Sequence, residues 1–126
     1  MFRIEEEGEY KKFKYRVVLN KLGHRCGYVK IPQKHKYYDV HYRHIPLTCH
    51  GGLTYSRHEP ENKGYWIGFD CAHYGDSPDM EALKKSGIWK DQPQMLELID
   101  LLAINGGEVR SKEYVIDQCK KIIDQL

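Results

Sequence analysis

The sequence lacks a long hydrophobic run, and no apolar stretch approaches the roughly 20 residues that a membrane-spanning helix needs. Residues 1–9 are acidic and do not show the basic, apolar pattern of a secretion signal. The two absences together predict a cytosolic protein without a membrane partner. In that compartment the four cysteines should stay reduced, and a disulfide is the less expected state.

The chain also lacks an excess of either charge. The 20 Lys and Arg and the 18 Asp and Glu leave a formal net charge of +2, and the two signs alternate along the chain. A dedicated nucleic-acid-binding protein gathers basic residues on one face, so an extended nucleic acid is not an expected partner. The densest basic stretch, 30–43, is interpreted as a solvated loop.

Motifs of nucleotide and metal chemistry are missing as well. The sequence has no glycine-rich phosphate loop and no dinucleotide-binding fingerprint, which argues against a nucleotide triphosphatase or a dehydrogenase. No Cys-x-x-Cys pair occurs, so a structural zinc site is the weaker interpretation of the zinc-ligand residue types present. These residues are His24, Cys26, Cys49, His50, Cys71 and His73.

The first two-thirds of the chain have β-type sequence. The clearest pattern is a hairpin with strands at 14–19 and 25–31 around a turn at 20–23. The polar segment 32–46 that follows is long for a connection, and loops of this length are usually functional or mobile.

A second hairpin is predicted from strands at 48–56 and 64–70, with the charged segment 57–63 as its turn. Gly51 and Gly52 interrupt the first of these strands. Consecutive glycines inside a strand indicate a bulge or a point of close approach between backbones.

Helical sequence follows in the last third. Ser77 is predicted to cap a short helix, with Pro78 in its first position and Gly87 as its terminator. A second helix is predicted at 93–104. Because it is largely apolar, it should be buried or packed on a partner, and a second copy of the chain is one such partner.

A third helix is predicted from near Ser111. Val115, Cys119, Ile122 and Leu126 recur at spacings of four, three and four, which places them on one helical face and predicts that this face lies in the core. The whole chain therefore reads as a single α+β domain, 1–126, in which an antiparallel sheet of two hairpins packs against C-terminal helices.

Two polar, glycine-punctuated strings, 48–56 and 68–76, carry the residues of a candidate site. If the second hairpin pairs as predicted, His50 lies near Asp70 and His73. A neighbouring imidazole and carboxylate can act as a general base, orient an imidazole or bind a metal. These three residues are therefore the candidate catalytic groups.

The start of the predicted helix at Ser77 adds a preference for anions, because free N–H groups at a helix N-terminus favour a phosphate or a carboxylate. Asp76 opposes this preference. A divalent cation, a protonated His73 or a nearby lysine would reconcile the two. The candidate ligand-binding residues are Gly51, Gly52, Thr54, Tyr55, Trp66, Asp76 and Ser77.

Cys71 is a further candidate, as a nucleophile beside His73 and Asp70. A reactive cysteine needs a lowered pKa near a histidine or a helix N-terminus. Residues two apart in a strand-like turn need not touch, so a buried, inert Cys71 is the favoured interpretation.

Several strings together resemble a family of short, uncharacterised phage and prophage proteins. They are Gly-Tyr-Val at 27–29, His-Gly-Gly-Leu-Thr at 50–54, Gly-Phe-Asp-Cys-Ala-His at 68–73, Gly-Asp at 75–76 and the terminal helix at 113–126. The segment 87–107 is longer than the joining region of that family. The resemblance transfers no catalytic residue to this chain.

The resemblance implies a viral setting, in which small accessory proteins counter host defence. The expected function is binding, and in its sharper form hydrolysis, of a nucleotide-like signal such as a cyclic oligonucleotide or a cyclic ADP-ribose derivative. A non-catalytic sponge for the same ligands is one alternative. A protein-binding inhibitor of a host enzyme, with the helix at 93–104 as its contact face, is another.

Overall fold

A computed structural model describes residues 1–61, 63–103 and 106–126. The main sheet has five antiparallel strands, which lie side by side in the order β1-β2-β3-β5-β4 once they are numbered along the chain. The strands are β1 (Phe2–Tyr10), β2 (Phe13–Asn20), β3 (Arg25–Ile31), β4 (Tyr55–Glu59) and β5 (Gly64–Asp70).

The remaining elements follow the sheet. A short 3-10 helix lies in the loop between β3 and β4, and a two-stranded parallel sheet pairs two short strands near the helices. The predicted α+β class, with strand hairpins packed against a C-terminal helix, is confirmed. These elements are the 3-10 helix Tyr42–His44, β6 (Asp76–Ser77), α1 (Met80–Ser86), α2 (Gln94–Leu102), β7 (Glu108–Val109) and α3 (Lys112–Asp124).

The core lies between one face of the sheet and α3. Val115, Cys119 and Ile122 have no exposed surface, which confirms the predicted core face of this helix. Gly27 of β3 lets the helix approach closely, since a Cβ there would lie 2.8 Å from the Cys119 sulfur. The helix α3 starts beside Ser111, as predicted, and Ser111 is its cap, since its hydroxyl accepts a hydrogen bond from the Tyr114 N–H at 3.1 Å.

The first strand, β1, was not predicted from the sequence. Its segment is rich in glutamate and lacks apolar alternation, so it shows no strand signal. It nevertheless pairs with β2 along its length, with an irregularity between Ile4 and Glu6. Charged residues and bulges of this kind are typical of edge strands, where they discourage pairing with another chain.

The predicted strand at 48–56 is wrong over most of its length. The chain turns at 49–52, and the strand that pairs with β5 is β4, Tyr55–Glu59. Gly51 and Gly52 have φ of +68° and +80°, in the left-handed region that a regular strand does not use. The hairpin turn is consequently shorter than the predicted 57–63, and its residue 62 lies outside the described residues.

Ser77 does not cap α1, because it belongs to β6 and pairs with Val109 of β7. Asp79 is the cap, and its side chain accepts a hydrogen bond from the Ala82 N–H at 3.0 Å. The predicted terminator is confirmed, since Gly87 follows α1 with φ of +74°. The helix starts two residues later than predicted because the short parallel pairing takes up Asp76 and Ser77.

The helix predicted at 93–104 is present as α2, Gln94–Leu102, while residues 104 and 105 lie outside the described residues. The helix is less buried within the chain than its apolar sequence predicts. Only Ile99 is buried, whereas Leu101 and Leu102 are 81% and 71% exposed. Packing of this helix on a partner stays a prediction. Among the described residues, no helix is both long and apolar enough to cross a bilayer.

Candidate functional site

Three segments that are distant in sequence bring polar side chains together beside α3. The turn before β4 supplies His50, the turn between β5 and β6 supplies His73, and β6 supplies Asp76. Pairing of β6 with β7 sets Asp76 opposite Glu108. The chain beyond β7 therefore brings Arg110 next to the Asp76 carboxylate.

His50 is held by both of its ring nitrogens. Its Nε2 lies 2.9 Å from Oδ2 of Asp76, and its Nδ1 lies 2.8 Å from the hydroxyl of Tyr114. An ionised carboxylate only accepts hydrogen bonds, so Nε2 donates to Asp76 and, in the neutral ring, Nδ1 accepts from Tyr114. With only 13% of its side chain exposed, His50 is a fixed group in the wall of the site.

Asp76 is the centre of the cluster, and its side chain has no exposed surface. Its Oδ1 accepts from Nε of Arg110 at 2.9 Å, and its Oδ2 accepts from the His73 backbone N–H at 3.0 Å. Burial alone would raise the pKa of Asp76. The hydrogen bonds from His50, the His73 backbone and Arg110 outweigh burial, and they hold the pKa of Asp76 below its ordinary value of 3.8.

His73 lies between two carboxylates without a close hydrogen bond to either. Its Nδ1 is 3.5 Å from Oδ1 of Asp70 and 3.8 Å from Oδ2 of Asp76. This nitrogen is buried and has no hydrogen-bond partner among the residues that the structure describes. Gly51 underlies the ring, since a Cβ at residue 51 would overlap the imidazole of His73.

Asp70 ends β5 and turns the chain toward His73. Its Oδ2 accepts from the Thr54 hydroxyl at 3.0 Å, and its Oδ1 accepts from the Ala72 N–H at 3.1 Å. These two bonds fix the carboxylate in the orientation that faces the imidazole.

A cavity of about 710 Å³ opens beside this cluster. Of the cluster residues, His73 lines it and Asp76 borders it with its backbone, since the Asp76 side chain has no exposed surface, while His50 and Tyr114 lie outside its lining. His24 contributes a second imidazole, and its Nδ1 lies 2.8 Å from the carbonyl oxygen of Cys71. The other principal lining groups are Leu22, Tyr74, Pro78, Ile99, Leu102 and Gly107.

The predicted catalytic residues lie in one cluster, since His50 and His73 adjoin Asp76 and Asp70 adjoins His73. Gly51 and Thr54 support them directly. Gly52 belongs to the same turn as Gly51 but does not support the cluster directly, because no described atom lies within 4 Å of a Cβ placed there.

Tyr55 and Trp66 lie elsewhere, on the sheet face opposite α3, because alternate residues of a strand point to opposite faces. Tyr55 donates its hydroxyl hydrogen bond to Glu59 at 2.6 Å, and the Trp66 ring stacks under the guanidinium of Arg16. Neither residue lines the cavity. The positions of Tyr55 and Trp66 therefore do not support their assignment to the ligand site. The same holds for Ser77, which lies in β6 and does not line the cavity.

Cys71 is buried and inert, as the sequence favoured. Burial, with a smaller contribution from Asp76, raises the pKa of its thiol to about 12, so the reactive thiolate is not populated near neutral pH. All four cysteines of the chain are free thiols.

Sequence reasoning missed Arg110 and Tyr114, and it named His24 only as a residue type suited to zinc. Arg110 is 34 residues from Asp76, and Tyr114 is 64 residues from His50. The only local signal was the position of Tyr114 in the first turn of the predicted third helix, on a different face from the core stripe.

The cluster also has the donor types that bind a cation. Suitable ligand atoms of His50, His73 and Asp76 all lie within 4.8 Å of one another. Their partial burial distinguishes them from the exposed Asp39 and His58 pair, which lies on the surface at 2.8 Å.

The lowered pKa of Asp76 predicts an acid-dependent loss of stability. Because folding favours the ionised carboxylate, its contribution is complete above the unfolded pKa and is lost as pH falls through the folded value. We expect the free energy of unfolding, measured with denaturant between neutral pH and about pH 3, to decline more steeply in the wild type than in Asp76→Asn. Parallel profiles would contradict this assignment.

Comparison of the chain with protein-family models, with curated proteins and with solved structures finds no match, so the resemblance to short phage and prophage proteins stays a prediction.

Proposed function

We propose that the cavity binds a small nucleotide-like molecule carrying a phosphate, and that the cluster in its wall hydrolyses a phosphate ester of that molecule. One observation carries the proposal. His73 lines the cavity, and next to the carboxylates of Asp70 and Asp76 it has a buried ring nitrogen without a hydrogen-bond partner in the described part of the chain. Titratable groups gathered in this way at a cavity are typical of active sites.

The cavity has the size and mixed lining of a small-molecule site. Its volume of about 710 Å³ lies within the usual range of such pockets. Ile99 and Leu102 supply an apolar wall for a base or a ribose, and Tyr74 is fully exposed at the lining, where its ring is free to stack. His24 and His73 supply imidazoles for phosphate oxygens.

Hydrolysis requires an activated water beside the phosphorus. His73 takes a proton from that water while its oxygen attacks the phosphorus. The phosphorus–oxygen ester bond then breaks, and the released ester oxygen takes up the proton that His73 holds. His73 is the group of the cluster that meets the ligand. Asp70 and Asp76 place negative charge beside it, and His50 acts only through Asp76, since both ring nitrogens of His50 are engaged.

The setting implied by the sequence resemblance narrows the ligand class. In the cytosol of a bacterial host, a phage accessory protein with such a site would act on a cyclic nucleotide signal of host defence. Retention of the intact signal is the sponge form of the same proposal, and it needs the cavity but not the chemistry of the cluster.

The test is incubation with a panel of cyclic dinucleotides and cyclic ADP-ribose isomers, followed by heat removal of the protein and analysis of the nucleotide. We expect the wild type to yield a linear product and His73→Ala to lose turnover by at least about 100-fold. The control is His58→Ala, because His58 also pairs with a carboxylate but does not line the cavity.

Recovery of the bound ligand intact would overturn hydrolysis and leave the sponge form. Thermal shift over the same panel tests binding by itself, since a ligand at 100 times its dissociation constant adds about 2.7 kcal/mol of stability. No stabilisation and no product with any member of the panel would overturn both forms.

A second candidate function is favoured by α2. Leu98, Leu101 and Leu102 are exposed on this helix, as expected for a contact face with a host protein or a second copy of the chain. Size-exclusion chromatography and capture from host lysate test it. Under this function His50→Ala leaves partner capture unchanged, whereas Leu101→Lys abolishes it.

A further inference from the structure

We infer that His50, His73 and Asp76 form a binding site for one divalent transition-metal ion, with the Asp70 carboxylate beside it. Binding of the ion stands on the geometry of the cluster alone. Its use in catalysis rests on the proposed function, because the ion would hold the attacking water and lower the pKa of that water.

The spacing of the donor atoms is the first argument. Oδ2 of Asp76 lies 2.9 Å from Nε2 of His50 and 3.8 Å from Nδ1 of His73, and all three donors lie within 4.8 Å of one another. Ligand bonds to zinc are about 2.0–2.2 Å long, so tetrahedral ligand atoms lie roughly 3.4 Å apart. The two separations that involve Asp76 lie on either side of this value, and the two imidazole nitrogens lie no more than 4.8 Å apart.

The unpartnered nitrogen of His73 is the second argument. A buried polar atom without a hydrogen bond is costly, and native proteins rarely retain one without a reason. Nδ1 of His73 is such an atom among the described residues, and both neighbouring carboxylates are at or beyond the limit of a hydrogen bond. A metal ion bound between this nitrogen and the neighbouring carboxylates would accept the lone pair of Nδ1.

The outer contacts of the cluster are the third argument, because metal ligands are normally oriented by a second layer of hydrogen bonds. Tyr114 holds the other nitrogen of His50 at 2.8 Å, and Arg110 holds the other oxygen of Asp76 at 2.9 Å. The Thr54 hydroxyl does the same for Asp70 at 3.0 Å. Each of these contacts leaves the inner donor atom directed toward the cluster.

Ion binding requires one proton to move. Without the ion, Nε2 of His50 donates to Asp76; with the ion, Nε2 must present its lone pair. The ring then carries its proton on Nδ1 and donates it to the Tyr114 oxygen, so the ring stays neutral. The hydroxyl of Tyr114 suits both states because it can accept as well as donate.

The donor set indicates which ions fit. Imidazole nitrogen suits zinc, cobalt, nickel and iron, whereas magnesium and calcium prefer sites made of oxygen. Two imidazoles and one or two carboxylates therefore favour zinc or cobalt over magnesium. Arg110 offsets part of the negative charge of Asp76, so the choice among cations rests on the imidazole nitrogens.

The test uses the full chain after dialysis against a chelator, titrated with Zn²⁺ by calorimetry and with Co²⁺ by visible absorption. We expect one ion per chain, weaker binding by at least about 100-fold in His73→Ala, and weaker binding by about 10–100-fold in Tyr114→Phe, which removes only an outer contact. His58→Ala is the control and should bind as the wild type does.

Equal affinity in the wild type and in His73→Ala, or no saturable binding by the folded wild type, would overturn the inference. His73→Ala is the decisive variant because the exposed part of this side chain makes its loss the least disruptive. Ion binding without nucleotide turnover would reject the proposed hydrolysis alone. Turnover that persists in chelator, without ion binding, would reject the metal site alone.

Discussion

Replacing Asp76 by Asn should lower the free energy of unfolding by about 3 kcal/mol. The carboxylate is buried and serves Arg110, His50 and the His73 backbone at the same time. An amide cannot accept from all of these donors, so the substitution leaves a cation and an imidazole without their partner. The effect should lie near the lower end of the range for broken buried pairs, because Arg110 is 23% exposed.

Urea denaturation of both forms measures this loss. The matched control is Asp39→Asn, which removes the same charge from a carboxylate–histidine pair of similar length, 2.8 Å, whose side chains are 72% and 52% exposed. Asp39 has φ of +64°, a conformation that Asn tolerates well. We expect the control to lose less than about 1 kcal/mol. Equal losses in the two variants would refute a central role for Asp76.

Gly51→Ala should disrupt the site more strongly than the same change at the next residue. Both Gly51 and Gly52 have positive φ, so alanine at either position costs about 1–2 kcal/mol of backbone strain. At residue 51 the new Cβ also overlaps the His73 ring, whereas at residue 52 no described atom lies within 4 Å. The overlap should add about 1–3 kcal/mol and move the imidazole.

Denaturation gives the stability of the two variants, and the chemical shifts of the His73 ring report its displacement. We expect shifts that differ from the wild type in Gly51→Ala and remain close to it in Gly52→Ala. Turnover and cobalt binding should follow the same order. If the two alanines have the same effect on the ring, Gly51 does not position His73.

Much of the fold was predictable because its signals are local. The β2–β3 hairpin has alternating residues around a turn, and α3 has a stripe at helical spacing, and both are present as expected. The strand β1 was not predicted because its glutamates break the apolar alternation that marks a strand, although it pairs with β2. The strand predicted at 48–56 failed because propensity does not reveal that Gly51 and Gly52 adopt positive φ.

The candidate site was predictable only in part, for a related reason. Its residue types were visible in two strings, and their pairing across a hairpin brought His50 toward His73. Which nitrogen is free and which carboxylate is buried depend on contacts of both strings with α3 and with the segment beyond β7. Tyr55 and Trp66 lie on the sheet face opposite α3, away from the cavity, so their position does not support the predicted assignment to the site.

The sequence by itself determined an α+β chain and marked the residues that carry its polar chemistry, since both follow from composition and short-range periodicity. Only the tertiary structure decided that Asp76 is the shared partner of His50 and Arg110, which are 26 and 34 residues away. The physical reason is that the short parallel pairing of β6 with β7 joins distant segments through backbone hydrogen bonds, and such pairing leaves no periodic signal in either segment.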